Sequence, residues 1–206
     1  GFGGHRIEGI GDKHVPWVHN VKNTDVVTAI DDEDCMRVMR LFNEKDGQEY
    51  LKKNGVPQET IDQLNLIGIS GIGNLLSAIK TAKHFEMTSD DIIFSLATDS
   101  MEMYQSRLEE QTKEKGAYNR DQAIRDYEKC ILGQGTDNMK DLTYADRKAV
   151  HNLKYYTWVE QQAKDSADLQ QLWYDREIWN KLFTQAEKWD EMIKEFNEAT
   201  GVLKSL

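Results

Sequence analysis

The chain has 206 residues, of which 39% are apolar and 30% charged, with a formal net charge of −10. That is the composition of a globular protein with room for one domain plus an appendage, and its acidity with no basic cluster argues against nucleic acid as a partner. No stretch approaches the eighteen or so apolar residues that a membrane helix needs, no basic-then-apolar leader opens the sequence, and Cys35 and Cys130 lack disulfide-framework or zinc spacing. A cytoplasmic protein with no membrane partner is expected.

Residues 1–20 hold Gly1, Gly3, Gly4, Gly9, Gly11 and Pro16 with three histidines, a density of turn formers that predicts an irregular loop. Because the first residue is not Met and a glycine loop comes at once, the chain is expected to be a piece of something longer. Asp25–Ile30 is short and β-branched and reads as a buried strand. Asp31, Asp32 and Glu33 then open a helix whose apolar stripe runs through Cys35, Met36, Val38, Met39, Leu41 and Phe42, with Gly47 as its stop. The polar stretch from Gln48 to Asn65 reads as an insertion, with Pro57 able to start a short helix.

Next, Ile67-Gly68-Ile69-Ser70-Gly71-Ile72-Gly73-Asn74 feeds a helix through Leu75, Leu76, Ala78, Ile79 and Ala82, the pattern of an anion or cofactor site at a helix amino terminus. Ile92–Ala97 reads as a second buried strand, ending at Thr98-Asp99-Ser100 before a helix around Met103 and Leu108. This alternation predicts an α/β fold, part of an open, mostly parallel twisted sheet with flanking helices. From about Gln111 the chain turns charged, aromatic and helix-forming. The boundary is placed near residue 115, giving a core over 1–114 and an α-helical extension over 115–206, where Trp158, Trp173, Trp179 and Trp189 are expected to anchor helix packing or a subunit contact.

Two motifs point to chemistry: Gly4-His5-Arg6-Ile7-Glu8-Gly9-Ile10-Gly11 followed by Val15-Pro16, and Gly68-Ile69-Ser70-Gly71. Each also has a plain reading, glycines as turns and the serine as an N-cap. In this order, with Asp99-Ser100 at a strand end, they resemble the second half of the cysteine synthase and cystathionine β-synthase family, the tryptophan synthase β-like pyridoxal-phosphate enzymes, over roughly residues 3–110.

The resemblance implies pyridoxal 5'-phosphate as cofactor and β-elimination or β-replacement on a small amino acid: cysteine, O-activated serine, or serine with homocysteine. It places Ser70 on the pyridine nitrogen and Gly9, Ile10 and Gly11 beside the ring and substrate; Asp99 and Ser100 match a strand-end motif in which Thr98 replaces a common proline. No catalytic or metal-binding residue is assigned. The family's Schiff-base lysine, substrate-carboxylate loop and phosphate loop lie upstream of the Gly-Ile-Gly motif, so a missing N-terminal half is the implied partner and the chain alone is expected to be inactive; uncovered apolar faces make a homo-oligomer the other expectation. Gly1-Phe2-Gly3-Gly4 abuts the next motif too closely to be the phosphate loop, Lys13 reads as a surface lysine, and the acidic runs at Asp31–Asp34 and Asp90–Asp91 read as helix starts. The alternative is a non-catalytic helical assembly module on a degenerate cofactor fold.

Overall fold

The helix expected after Asp31 is the centre of the structure, a computed structural model that describes residues 4–204. Asp31 caps α1 (Asp32–Asn43) by accepting the Glu33 amide, and Asp32, Glu33 and Asp34 put three acids at the positive end of its dipole. Cys35, Met36, Val38, Met39, Leu41 and Phe42 are all buried, so α1 is covered on most of its circumference. The chain divides into two compact units, one holding the residues through Lys13 together with Val26–Asp141, the other His14–Asp25 and the chain from Leu142 onward.

In the first unit α1 packs against α2 (Lys45–Lys53), α4 (Ile69–His84), α5 (Gln105–Lys115) and α6 (Arg120–Tyr127), with the short α3 (Gln58–Ile61) capped by Pro57 as expected. Gly47 does not stop α1. The stop is Glu44, whose extended backbone (φ −95°, ψ 143°) separates α1 from α2, while Gly47 lies inside α2, where an added Cβ would sit 2.2 Å from the Leu41 carbonyl oxygen. Glycine is required there because two backbones touch.

The expected open parallel sheet is not what forms. Among the described residues the strands are β1 (Val26–Thr28) and β2 (Met139–Asp141), an antiparallel pair in which Val26 faces Asp141 and Thr28 faces Met139, and the remaining regular structure is helical. The fold is therefore helical with one two-stranded ribbon, and β1 is only half-buried. Ile92–Ala97, expected as a buried strand, is extended but unpaired, with Ile92 87% and Phe94 88% exposed. Its β-branched, apolar composition suits a sheet interior, but strand propensity is realised only beside a partner that satisfies the backbone and covers the side chains. The ribbon is instead tied to α4: Lys80 Nζ donates to Asp137 O (2.6 Å) and Ala29 O (3.3 Å), and Thr28 Oγ1 to Ser77 Oγ (3.0 Å).

The second unit is built from α7 (Tyr144–Asn152), α8 (Ser166–Tyr174), α9 (Ile178–Phe183) and α10 (Gln185–Thr200), with a 3-10 turn at Val21–Asn23 against α7. Thr143 and Asp146 form a capping box on α7, and Asp165 caps α8. Trp173 and Trp179 are buried with Leu169 and Leu172; Trp179 Nε1 donates to Leu172 O (3.0 Å) and Trp158 Nε1 to Val15 O (2.8 Å). Both are packing roles. Trp189 is 51% exposed and lies with Met192, Ile193 and Phe196 on one uncovered face of α10. His151 is buried with its Nε2 3.1 Å from Leu169 O, and desolvation pushes its pKa down to about 4, so it is neutral at pH 7. No helix among the described residues is long and apolar enough to cross a membrane.

Candidate functional site

The amino-terminal turns of α4 gather three segments that are far apart in sequence. Gly68 is the N-cap, with no side-chain cap, so Ser70 lies inside the first turn and is not the helix cap. Ile69, Ile72 and Leu76 bury the inner face, while Gly71 and Gly73 keep the helix surface low where other groups approach: a Cβ at Gly71 would meet Ile67 Cγ2 at 2.8 Å, and one at Gly73 would meet Ile10 Cδ1 at 3.2 Å.

The Gly-Ile-Gly loop is held against this region. Arg6 pairs with Asp32 (3.2 Å) and Glu33 (2.9 Å) at the start of α1, Ile7 enters the core, and Glu8 accepts from Arg107 Nε on α5 (3.1 Å). Gly9 and Gly11 have φ of +93° and +79°, which glycine adopts without strain. Both are exposed; of the three predicted loop residues it is Ile10, half-buried against Gly73, that touches α4.

The third segment is the end of the unpaired 92–99 stretch, which lies along the first turns of α4. Gly68 N–H donates to Asp99 O (2.9 Å), Asn74 Nδ2 to Leu96 O (3.3 Å), and the Ser70 and Thr98 hydroxyls are 2.7 Å apart. Ser70 is 2% exposed, whereas Thr98 is open to solvent. Asp99 Oδ2 accepts from Tyr104 O–H (2.5 Å), which pushes the phenol up to about 12, and Asp99 Oδ1 is buried with no hydrogen-bond partner. Ser100 precedes the 3-10 turn at Met101–Tyr104 as its N-cap residue and makes no side-chain cap.

The cluster therefore brings together a hydroxyl pair and a buried carboxylate oxygen without a hydrogen-bond partner among the described residues, beside two helix glycines packed by Ile67 and Ile10. Groups of this kind can hold a neutral nitrogen heterocycle or an N–H donor. Sequence reasoning identified Ser70, Gly9, Ile10 and Gly11 and matched Asp99 to a strand-end motif; it missed Thr98, read there only as a departure from that motif, and Tyr104, which belongs to no motif, as participants, since only the chain path unites them with Ser70. It also missed the buried lysines. Lys80 is held by the ribbon carbonyls, and Lys154, wholly buried in the second unit, donates to Trp17 O (2.9 Å) and His19 O (2.6 Å). Comparison with protein families, with curated proteins and with solved structures finds no match for this chain.

Proposed function

We propose that the chain forms the ring-facing part of a pyridoxal 5'-phosphate site in a cytoplasmic enzyme that carries out β-elimination or β-replacement on a small amino acid, cysteine, O-activated serine or serine. The supporting observation is the meeting of Ser70 with Thr98 and Asp99 at the start of α4, with Ile10 of the glycine loop packed on Gly73, three residues further along the helix. Two buried thiols, Cys35 and Cys130, both unpaired, suit a reducing compartment.

The residues fit the cofactor in part. Ser70 would face the pyridine nitrogen, the Gly9–Gly11 backbone would line the ring and substrate, and Asp99 Oδ1 offers an acceptor without a hydrogen-bond partner among the described residues. When bound, the cofactor withdraws electrons from the substrate's α-carbon. Ser70 would bring a neutral hydroxyl to that nitrogen where a carboxylate would hold a proton on it, which would favour loss of a β-substituent. Tyr104 holds Asp99 in place through its hydroxyl. The resemblance puts the reactive amine and the phosphate loop upstream of the Gly-Ile-Gly motif, and both are proposed to come from a second polypeptide segment; the buried lysines, Lys80 and Lys154, are engaged by backbone carbonyls.

An absorption scan with pyridoxal phosphate and each candidate amino acid tests the reaction. With the complementary segment supplied, a visible band that moves on adding cysteine is expected; the chain alone gives no such movement. A second reading, a non-catalytic helical assembly module, is favoured by the exposed Trp189, Met192, Ile193 and Phe196 face of α10. A stable self-associated chain that leaves the spectrum of added pyridoxal phosphate unchanged, with or without a partner segment, supports that reading and contradicts the first.

A further inference from the structure

A second set of residues, separate from the Ser70 cluster, encloses a cavity of about 270 Å³ between α1, α5 and α6 in the first unit. Its walls include Arg37, Arg40, Gln111, Lys115, Tyr118 and Arg125. Gln111 is 1% exposed, and neither its Nε2 nor its Oε1 has a hydrogen-bond partner, although burying an unpaired amide costs about 1–3 kcal/mol. Helix α5 could carry leucine at this position at no such cost. A buried glutamine with both ends unused, lining a cavity, marks a place that a ligand with both a donor and an acceptor completes.

The charges define the ligand further. The cavity is lined by four cations, Arg37, Arg40, Lys115 and Arg125, against two carboxylates, Glu33 and Asp126, in a chain whose net charge is −10. Glu33 is shared by Arg6, Arg37 and Lys115, and the buried Asp126 accepts from Tyr118 O–H (3.0 Å). Arg40 is 2% exposed, donates from Nη2 to Gly116 O (2.8 Å) and stacks on Tyr118 at 4.8 Å. Its Nε has no hydrogen bond, the Glu44 carboxylate being 3.6 Å away. A buried guanidinium N–H, an exposed arginine at the mouth and an excess of positive charge suit an oxyanion.

We infer that this cavity binds a small hydroxylated oxyanion, its phosphate or carboxylate group on the arginines and a hydroxyl on Gln111. The volume is just below the roughly 300–1,000 Å³ usual for small-molecule sites, which limits the ligand to a few carbons. The inference does not depend on the pyridoxal-phosphate reading, because no residue is shared between the two sites.

Titration of the full chain, followed by calorimetry and by amide NMR shifts, tests it with four probes: glycerol 3-phosphate, glycerate, methyl phosphate and glycerol. Saturable binding of glycerol 3-phosphate or glycerate at about millimolar concentration or below is expected, with glycerol silent. Arg125→Ala, on an exposed position, is expected to weaken the anions about tenfold. Gln111→Leu is expected to remove the preference for the hydroxylated anion over methyl phosphate. Preference for the phosphate over the carboxylate, or the reverse, identifies the head group. Absence of saturation up to about 10 mM of both hydroxylated anions, or unchanged binding in Arg125→Ala, overturns the inference and leaves Gln111 with water as its partner.

Discussion

Gly47→Ala is expected to destabilise the first unit by about 3 kcal/mol, a large share of the ~5–15 kcal/mol that holds a typical domain folded. The added methyl would lie 2.2 Å from the Leu41 carbonyl oxygen and 2.8 Å from both Leu41 C and Cα, all backbone atoms in the last turn of α1. No rotamer change can relieve such an overlap, so α1 and α2 must move apart where Leu41, Phe42 and Leu51 are packed. The opposing gain in helix propensity is only about 1 kcal/mol. Urea denaturation followed by far-ultraviolet circular dichroism checks this, with Lys45→Ala, an exposed residue of the same turn, as a control expected within about 0.5 kcal/mol of the parent.

The second large effect is a pH dependence from Lys154. Its ammonium is wholly buried, and desolvation pushes its pKa down to about 8. Between pH about 8 and 10.5 the unfolded chain holds a proton on this lysine that the folded chain has released. The unfolded state thus binds more protons there, and stability rises with pH through this window, by up to about 3 kcal/mol, and is lower below it. In either state the amine donates to Trp17 O and His19 O, so Lys154→Met leaves two carbonyls without a donor, at about 1–3 kcal/mol each. The variant should therefore lose most of the alkaline rise, the remainder coming from Lys148, which burial also holds below the usual lysine range, and its deficit against the parent should be largest near pH 10.

The neighbouring His19 and His151 are both held below the usual histidine range and titrate outside this window. All five tryptophans, Trp17, Trp158, Trp173, Trp179 and Trp189, belong to the second unit, so their fluorescence reports this transition separately from the first unit. Parallel pH profiles for parent and Lys154→Met would contradict the assignment of the rise to Lys154.

Local signals were the legible part of this chain. The acids at Asp31–Asp34, the stripe from Cys35 to Phe42, the start at Pro57 and the glycine-serine turn into α4 are all written in residues within a few positions of one another, and the helices form where those residues place them. Pairing was not legible. Ile92–Ala97 has the composition of an interior strand, but composition carries no information on whether a partner strand exists, and here it runs unpaired along α4. Met139–Asp141 has a lysine and an aspartate in a three-residue strand and gave no strand signal, yet it pairs with Val26–Thr28 because Lys80 and the Ala29–Asn138 backbone contact hold the two together.

Gly47 misled for a similar reason: a glycine after an apolar stripe usually ends a helix, whereas this one leaves space for the Leu41 backbone carbonyl. At the candidate site, Ser70 and the Gly9–Gly11 loop were recognisable as motifs, but their distance from one another was not. Ile10 reaches Gly73, and Thr98 reaches Ser70, through tertiary contacts across sequence separations of 63 and 28 residues. The Gln111 cavity left no motif at all, since its lining comes from two or three residues on each of three helices and Tyr118 between two of them.

The central claim is that the Ser70 cluster holds a pyridoxal-phosphate ring, and induced circular dichroism tests it most directly. Free pyridoxal phosphate is achiral and surface lysine adducts are not fixed in one orientation, so a signed visible band reports an ordered site. Titration of the full chain with the complementary segment supplied is expected to give a saturable band that Ser70→Ala weakens about tenfold in affinity and that Lys13→Ala, on an exposed loop, leaves unchanged. A band of equal strength and affinity in Ser70→Ala, or no band at saturating cofactor with the helical content intact, would contradict the account.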